Sequence, residues 1–367
     1  PGHLEPMPVS AMVYALARVP GRGMSRLPAI GDSLLNISVF GLGYVGAVVT
    51  GCFARNGHTV VGVDVRQSKV DMLNQGVSPI VEPGLAELIA EGRQAGRIWG
   101  TISAEDAVLF TDISLICVGT PSTVEGGLTT DYIEGVCGEI GAALAKKDSY
   151  HVVVDRSTIL PGTVEEKMIP ILERASGKKA GADFGVAMNP EFLRESSAIR
   201  DFDEPPKTVI GQFDERSGDV VAQLYEGLAA PMFRPSIKVA ELVKYADNVF
   251  HALKIVFGNE IGSIAKACGM DSHEVMDIFC ADRKLNISPA YLKPGFAYGG
   301  SCLPKDLRAL TYHAHQLGVE VPVLDGIGES NKAHIQRAAT DIAALGARKI
   351  AFLGVAFKAD TDDLRET

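Results

Sequence analysis

The amino-acid sequence predicts an α/β fold in which a doubly wound parallel sheet precedes a helical region. Short apolar segments alternate with helix-type segments over residues 35–235, which is typical of a parallel sheet flanked by helices. The pattern changes after Pro235, because no proline occurs from Ile237 to Ala267 and apolar residues recur there at helical spacing. A helix of roughly 30 residues is longer than a typical globular element, so we expect a spine or a dimer contact.

The first half begins with a predicted strand at residues 37–40, a helix at 44–56 and a second strand at Thr59–Val63. Short runs that are apolar throughout predict further buried strands at residues 114–118 and 152–154. Because strands and helices alternate, we expect these strands to be parallel and to end at the same edge of one sheet.

Composition changes along the chain predict four parts. Residues near the start are rich in proline and glycine and lack periodicity, so we expect poor order there. Near the end, the apolar run 349–353 and Gly354 predict a strand and a turn. The predicted parts are an extension (1–34), a sheet domain (35–235), a helical central and dimerisation domain (236–345), and the start of a truncated second sheet domain (346–367).

Composition argues against nucleic-acid and membrane partners. The chain carries a formal net charge of -10, whereas a surface that coats nucleic acid is normally basic. No apolar run approaches the ~20 residues that a membrane span needs. The six cysteines form no C-x-x-C pair, so we expect no metal site, and their scatter suggests free thiols in a reducing cytosol. Without other information, each cysteine is best interpreted as a small buried hydrophobe.

A glycine-rich turn joins the first strand to the first helix. In Gly41-Leu42-Gly43-Tyr44-Val45-Gly46 the glycines allow a tight turn and close approach to a diphosphate, and the helix N-terminus supplies N–H donors. Asp64 ends the next strand, where it can accept from ribose hydroxyls and repel a 2′-phosphate. The pattern therefore predicts a Rossmann-like domain that binds NAD rather than NADP. The alternative is a glycine turn that binds nothing.

Two later loops are expected to face the same ligand, because crevices form at the carboxyl ends of parallel strands. They are Val118-Gly119-Thr120-Pro121 and Arg156-Ser157-Thr158. The hydroxyls of Thr120 and Thr158 can contact a cofactor or a water. Ordinary turn chemistry explains the same residues equally well.

Three features carry the candidate chemistry. The first is Gly299-Gly300-Ser301-Cys302-Leu303-Pro304-Lys305-Asp306, in which a cation beside Cys302 is expected to favour the thiolate. The second is Lys244, Asn248 and His251, whose spacing places them on one helix face, either a solvated face or a site. The third is the loop 189–195, where Glu191, Glu195 and Arg194 form either an acid–base site or an exposed turn.

Taken in order, these motifs resemble the signature set of the UDP-glucose and GDP-mannose dehydrogenase family. The resemblance covers about residues 35–367, and residues 79–85, 285–288 and 361–366 are most similar to the GDP-mannose branch. The matching motifs are residues 41–46, Gly119-Thr120-Pro121, Ser157-Thr158, residues 189–195, Lys244 with Asn248, and residues 299–306.

The resemblance implies a four-electron oxidation of a sugar 6-hydroxymethyl group to a carboxylate, with two NAD consumed and GDP-mannose as the expected substrate. An aldehyde has no good hydride to give until a nucleophile adds to it. Cys302 is expected to add, forming a thiohemiacetal that is oxidised to a thioester, which water then hydrolyses.

The resemblance also implies roles for the surrounding residues. Lys244 and Asn248 are expected to stabilise developing oxyanions. Glu191 and Thr158 are expected to position or activate water, and Asp306 to orient or assist the thiol. The implied NAD contacts include Tyr44, Val45, Lys69, Lys305 and Arg365. The implied sugar-nucleotide contacts, besides Lys244 and Asn248, are Glu195, His251, Asn259, Tyr291, Lys293 and Gly299, with Lys358 reaching in from the last domain.

The sequence departs from the family pattern at three positions. Ala290 lacks an aromatic ring that the GDP-mannose branch carries, and Lys293 replaces the bidentate fork of an arginine with a point charge. Asp155 stands where the preceding strand is usually apolar, and we expect it to pair with Arg156.

Three rival functions stay open at this stage. UDP-glucose could be oxidised by the same chemistry. A 6-phosphogluconate or hydroxyacid dehydrogenase shares a Rossmann domain followed by helices, but it transfers one hydride and needs no thiol, so Cys302 argues against it. The third rival is an inactive NAD-binding fragment.

Overall fold

The computed structural model describes residues 34–267, 269–283, 295–316 and 321–354, together with Ala356 and Leu364. Its main sheet has seven strands in the order β3-β2-β1-β4-β5-β6-β8, and a second sheet pairs β7 with β9. The strands are β1 Asn36–Phe40, β2 Thr59–Val63, β3 Ile98–Thr101, β4 Ile113–Ile116, β5 Val152–Asp155, β6 Gly185–Met188, β7 Thr208–Val209, β8 Gly211–Gln212 and β9 Met232–Phe233.

The main sheet is parallel from β1 to β6, and only its edge strand β8 runs antiparallel to β6. Helices connect the parallel strands, and a π-helical turn at Val164–Met168 precedes the helix that begins at Ile169. The helices are α1 Tyr44–Arg55, α2 Gln67–Asn74, α3 Leu85–Gln94, α4 Ala104–Phe110, α5 Asp131–Leu144, α6 Ile169–Ser176, α7 Ala198–Asp203, α8 Glu215–Gln223, α9 Ile237–Ala267, α10 Ser272–Ala281, α11 Leu303–Gln316 and α12 Pro322–Ala344.

Two apolar cores lie on opposite faces of this sheet. Val152 and Val154 of β5 point into the core that α1, α3, α7 and α8 cover. Val153 points into the other core, which α4, α5, α6 and the first turn of α9 cover. Side chains alternate across a strand, so a strand that is apolar at every position must be buried on both faces. The predicted doubly wound sheet is therefore confirmed.

The long helix α9 leads from the sheet into the helical region. Its bounds, Ile237–Ala267, are those that the absence of proline and the helical spacing predict. Val249, Ala252 and Val256 on this helix pack against Leu307 of α11 and Ile327 of α12, forming a third apolar core. No helix in the described part of the chain is long and apolar enough to span a membrane.

The predicted strand at residues 349–353 is wrong. These residues have no strand assignment, and Phe352 and Leu353 are 78% and 98% exposed. An apolar run becomes a strand only when a neighbouring strand satisfies its backbone N–H and C=O groups, and no such strand lies beside it within the described residues. The strand predicted at 114–118 is also displaced, because β4 covers Ile113–Ile116.

Candidate active site

The loops that follow β1, β4, β5 and β6 share the carboxyl edge of the parallel sheet. They contain the glycine turn, residues 117–121, residues 156–158 and residues 189–195 in that order. The fold thus brings together four of the predicted motifs. The crevice outside this edge is where doubly wound sheets bind their ligands.

The three turn glycines are required for different reasons. Gly41 has φ of +96°, and a Cβ atom there would lie 2.7 Å from the carbonyl oxygen of Cys117. A Cβ atom on Gly46 would lie 1.8 Å from the carbonyl oxygen of Gly41, so the start of α1 could not pack against the turn. Open space lies in front of Gly43, where a Cβ atom would meet no atom within 4 Å. The turn therefore fits the diphosphate of a dinucleotide, with free space at Gly43 next to the α1 N-terminus.

The carboxylate of Asp64 is fixed at the end of β2. Its Oδ2 accepts the Leu42 N–H at 2.8 Å, and its Oδ1 accepts the Arg66 N–H at 2.9 Å. Lys69 lies 3.5 Å from Oδ2 and donates to the carbonyl of Leu42 at 2.8 Å. The acidic group thus stands beside the glycine turn, in the position that a ribose hydroxyl requires.

Three further predicted cofactor residues belong to the first helix or to the loop after β4. Tyr44 and Val45 are half-buried at the start of α1. The Tyr44 hydroxyl donates to Glu82 Oε2 at 2.5 Å. The Thr120 hydroxyl donates to the carbonyl of Thr158 at 2.8 Å, which ties the loop after β4 to the loop after β5. The hydroxyl of Thr120 therefore has a structural role, because it holds these two loops together.

Lys244 and Glu191 form a buried ion pair between α9 and the loop after β6. Lys244 Nζ lies 2.9 Å from Glu191 Oε1, and the Leu193 N–H donates to Glu191 Oε2 at 2.7 Å. Burial alone raises the pKa of Glu191, but Lys244, the Leu193 N–H and Arg156 together outweigh it, so the net pKa is lowered. Burial likewise lowers the pKa of Lys244, and Glu191, Cys302 and Asp306 together reverse this to a net increase. Both groups therefore stay charged, and neither belongs to a solvated face or an exposed turn.

Asn248, one helical turn after Lys244, donates its amide to Asp306 Oδ2. Asp306 is fully buried, and its Oδ1 lies 3.3 Å from Lys305 Nζ. The Asp306 N–H donates to the carbonyl of Cys302, which directly precedes α11. The side chains of α9 and the start of α11 thus surround Cys302.

The environment of Cys302 corrects the predicted acidity of its thiol. The residue is exposed, yet neighbouring residues crowd its thiol and remove much of its hydration. This desolvation raises the pKa of Cys302, Asp306 and Glu191 act in the same direction, and Lys244 and Lys305 only partly oppose them. A neighbouring cation in the sequence was therefore insufficient grounds to predict a thiolate, because the carboxylates become visible only in the fold.

The structure places the predicted sugar-nucleotide contacts unevenly. Asn259 is buried and holds the loop before Cys302: its Oδ1 accepts the Gly295 N–H at 3.0 Å and its Nδ2 donates to the Phe296 carbonyl at 3.2 Å. Glu195, His251 and Gly299 are partly buried. The predicted site residues Tyr291, Lys293, Lys358 and Arg365, and the departure at Ala290, lie outside the described residues.

Asp155 does not pair with Arg156, contrary to the prediction. Within the described residues, the buried Arg156 guanidinium instead donates to Asn189 Oδ1 and to the Tyr225 hydroxyl. Successive residues of a strand point to opposite faces, which separates the two side chains. Burial raises the pKa of Asp155 well above its usual range, with Ser157 opposing.

Sequence reasoning missed two buried polar residues that shape the site. Together with Arg156, Tyr225 holds Asn189, the first residue of the loop that contains Glu191. Glu241 of α9 accepts the backbone N–H groups of Gly162 and Val164. Tyr225 and Glu241 belong to no motif, so no spacing in the sequence distinguishes them. No group of three or more His, Cys, Asp or Glu side chains arranged for a metal occurs among the described residues.

Comparison with known proteins agrees with this geometry. The family model for the NAD binding domain of the UDP-glucose/GDP-mannose dehydrogenase family matches residues 35–229, and the model for its central domain matches residues 238–333. The chain is 58% identical to a GDP-mannose 6-dehydrogenase of Pseudomonas syringae pv. syringae, over 91% of this chain and 76% of the relative. It is 38% identical to the UDP-glucose 6-dehydrogenase AglM of Haloferax volcanii, over 91% of this chain and 78% of that protein.

Solved structures give the same result. A ternary complex of GDP-mannose dehydrogenase from Pseudomonas aeruginosa is 57% identical, with a TM-score of 0.69 over 90% of this chain and 76% of that one. A UDP-glucose dehydrogenase from Pyrobaculum islandicum is 40% identical, with a TM-score of 0.86 over 93% of this chain and 79% of that one. The predicted family and the NAD cofactor are thereby confirmed, and the chain belongs to the UDP-glucose/GDP-mannose dehydrogenase family of oxidoreductases.

Proposed function

We propose that this protein is an NAD-dependent GDP-mannose 6-dehydrogenase that oxidises the sugar C6 alcohol to the carboxylate of GDP-mannuronate. The observation that carries the proposal is the pair of buried contacts, Lys244 with Glu191 and Asn248 with Asp306, beside the exposed thiol of Cys302. The choice of sugar rests on the relatives named GDP-mannose 6-dehydrogenase, which are 57–58% identical, whereas those named UDP-glucose 6-dehydrogenase are 37–38% identical.

The glycine turn and Asp64 would hold NAD, which supplies the acceptor for both hydrides when it is bound. The free space at Gly43 and the N–H groups at the start of α1 suit the diphosphate. Asp64 Oδ1 and Oδ2 are already oriented by backbone N–H groups, so the carboxylate needs no rearrangement to accept from a ribose.

Lys244 and Asn248 are the donors that face the reacting oxygen. An ammonium ion and an amide stabilise the negative charge that develops on the C6 oxygen, both in the alcohol stage and in the aldehyde adduct. Glu191 favours the charged form of Lys244 despite its burial, so the ammonium is available as a donor.

Cys302 must lose its proton before it can attack the aldehyde, because burial and nearby carboxylates favour the neutral thiol. In our proposal Asp306 accepts this proton, a sulfur–C6 bond forms, and the carbonyl oxygen becomes an oxyanion held by Lys244 and Asn248. Loss of hydride from C6 converts the adduct to a thioester. Water, positioned by Glu191 and Thr158, breaks the sulfur–C6 bond and releases the acid and the thiol.

Counting NADH formed per GDP-mannose consumed tests this proposal. The expected ratio is two, because the alcohol must pass through the aldehyde to the acid. A ratio of one with accumulating aldehyde would support the single-hydride dehydrogenases instead. Faster turnover of UDP-glucose than of GDP-mannose would reassign the sugar and leave the chemistry intact, and the absence of turnover with either would favour an inactive NAD-binding protein.

We also propose that the enzyme acts in the cytosol as a homodimer or a higher homo-oligomer, with a sheet domain at 35–235 and a helical dimerisation domain at 236–345. Exposed apolar side chains along α9 support a second copy as partner, since a long exposed apolar stripe is typical of an interface. They are Val239, Leu242, Phe250 and Phe257, each between 39% and 49% exposed. The net charge of -10 makes nucleic acid an unsuitable partner.

A further inference from the structure

Glu82 is a buried carboxylate to which the proposed chemistry gives no role. It lies shortly before α3 and is 6% exposed. Its Oε2 accepts the Tyr44 hydroxyl at 2.5 Å and the Ser196 N–H at 2.8 Å, and its Oε1 accepts the Ala198 N–H at 2.8 Å. One carboxylate therefore joins the start of α1 to the end of the loop after β6.

Among the described residues, the groups that contact this carboxylate are all uncharged donors. No Lys, Arg or His lies within 4.0 Å of Glu82 among the residues that the structure describes. A buried charge costs free energy unless hydrogen bonds compensate for its lost hydration, so all three donors are needed. Burial and the bond to Glu82 raise the pKa of Tyr44, so its hydroxyl remains a donor at every pH that the protein encounters.

The backbone that Glu82 holds is strained. Ser196 has φ of +68°, a left-handed conformation that no other non-glycine residue adopts in the described part of the chain. Such a residue persists only where its surroundings fix it. Nearby, Asp201 accepts the Arg194 N–H at 2.9 Å and pairs with the Arg194 guanidinium at 2.6 Å. The end of this loop is thus held by two carboxylates.

The held loop carries Glu191 and Glu195. Its start is fixed by Asn189, and Glu191 reaches the ammonium of Lys244. Tyr44, at the other end of the Glu82 contacts, borders the glycine turn where the cofactor is expected. The contacts therefore run continuously from the cofactor side to the loop of the reacting sugar.

We propose that Glu82 is a positioning residue that couples the cofactor site to the loop 189–198 through the hydroxyl of Tyr44. The identity of the two ligands rests on the proposed function. A cofactor that presses on Tyr44 keeps the phenol against Glu82, and Glu82 in turn keeps Ser196 and Ala198 in place. Each ligand then binds more tightly when the other is present, because coupling between two sites is reciprocal.

Hydrogen exchange of the free protein tests the anchoring step without any ligand. In Glu82→Gln, the amide NH2 group must replace Oε1, where it faces the Ala198 N–H, or Oε2, where it faces the Ser196 N–H. The backbone amide that loses its acceptor should exchange on the order of tenfold faster. Glu87→Gln is the matched control, because Glu87 is exposed on α3 nearby. Wild-type exchange rates at Ser196 and Ala198 in a folded Glu82→Gln protein would overturn the proposal.

Calorimetric titration tests the coupling step. GDP-mannose affinity is measured with and without NADH, which cannot accept a hydride, so no turnover occurs. We expect NADH to tighten GDP-mannose binding in wild type and in Glu87→Gln. The tightening should shrink toward onefold in Tyr44→Phe and in Glu82→Gln, and the double variant should lose no more than either single variant.

The outcomes separate the two proposals. Absence of NADH-induced tightening in wild type, or its full retention in both Tyr44→Phe and Glu82→Gln, would overturn the coupling even if the enzyme oxidises GDP-mannose. If wild type binds neither ligand, the proposed function fails, and with it the coupling, whereas the exchange rates still decide whether Glu82 anchors the loop. If Glu82→Gln does not fold, the milder Tyr44→Phe variant decides the coupling alone.

Discussion

At the residue scale, the charges around Cys302 oppose one another. Lys244 and Lys305 favour its thiolate, whereas Asp306 and Glu191 favour its thiol, and desolvation adds to the second pair. Removing any one of these charged side chains should therefore change the pKa of the thiol. The rate at which Cys302 is alkylated measures that change.

Lys244→Met should slow alkylation of Cys302 by iodoacetamide at pH near 8 by on the order of tenfold, because the pKa of the thiol rises further when the ammonium is lost. Asp306→Asn should speed it, since a carboxylate that opposes ionisation is removed. Lys266→Met, an exposed lysine elsewhere on α9, is the control. Unchanged alkylation in both variants would mean that neither charge acts on the thiol.

Cys302→Ala should abolish formation of the acid while NAD binding, measured by titration, stays at the wild-type level. The reason is that the aldehyde stage needs a covalent adduct, whereas the proposed diphosphate and ribose contacts come from the glycine turn and Asp64. Cys280→Ala is the control, because Cys280 is a half-buried thiol away from the site. Near-normal NADH production by Cys302→Ala would remove the cysteine from the mechanism.

At the element scale, the sequence predicts local structure well where burial is two-sided. The bounds of β2 and α9 are as predicted. An apolar run between polar turns defines β2, and a proline-free stretch with helical spacing defines α9. The strand at 349–353 was wrong because pairing depends on a neighbouring strand, which the local pattern does not reveal.

The site was predictable to the level of motifs but not of contacts. Gly41, Asp64 and Cys302 stand out through spacing. Glu82 and Tyr225 do not, because their partners lie far away in the sequence, as the separation of 114 positions between Glu82 and Ser196 illustrates. A resemblance to a family identifies motif residues by their position in the sequence. It does not reveal contacts between residues that are far apart in the sequence.

Phe250→Glu should convert the proposed dimer to a monomer, because a carboxylate in the apolar stripe of α9 would lose its hydration in the interface. Light scattering coupled to size-exclusion chromatography measures the mass. Val124→Glu is the control, since Val124 is fully exposed on a loop away from α9. A wild-type protein that is monomeric at every concentration would contradict the dimer itself.

At the scale of the whole molecule, a buried polar network crosses the centre of the main sheet. His151 Nδ1 faces the Thr111 carbonyl at 3.0 Å and therefore carries the proton, and His151 Nε2 accepts from the Ser114 hydroxyl at 2.7 Å. Burial first, and then the nearby Lys147, lower the pKa of His151 to about 3. The folded protein thus keeps this imidazole neutral at a pH where the unfolded chain protonates it.

The contribution of His151 to stability should consequently fall as pH drops below about 6.5, the ordinary pKa of histidine, and the loss should continue toward the folded value. Above that range both states are neutral, so His151 adds no pH dependence. His151 contributes up to ~1.4 kcal/mol per pH unit to the slope of the unfolding free energy, whereas Glu241, whose pKa burial raises to about 7, contributes with the opposite sign. Urea denaturation of wild type and His151→Gln between about pH 7 and pH 5 isolates the histidine, because its contribution is missing from the slope of the variant. The exposed His273→Gln should keep the wild-type slope, and equal curves for all three proteins would contradict the role of His151.

Two of the turn glycines also indicate how to obtain a folded protein that does not bind the cofactor. A methyl group at position 46 would collide with the Gly41 carbonyl, so Gly46→Ala disrupts the chain before any ligand is present, and loss of activity there reports misfolding. At position 43 the backbone has φ of -78° and ψ of -163°, which every residue adopts easily, and the space ahead is empty. Gly43→Ala would therefore leave an intact fold with the diphosphate cradle filled. Genetic complementation that relies on an inactive but well-folded copy should use this position.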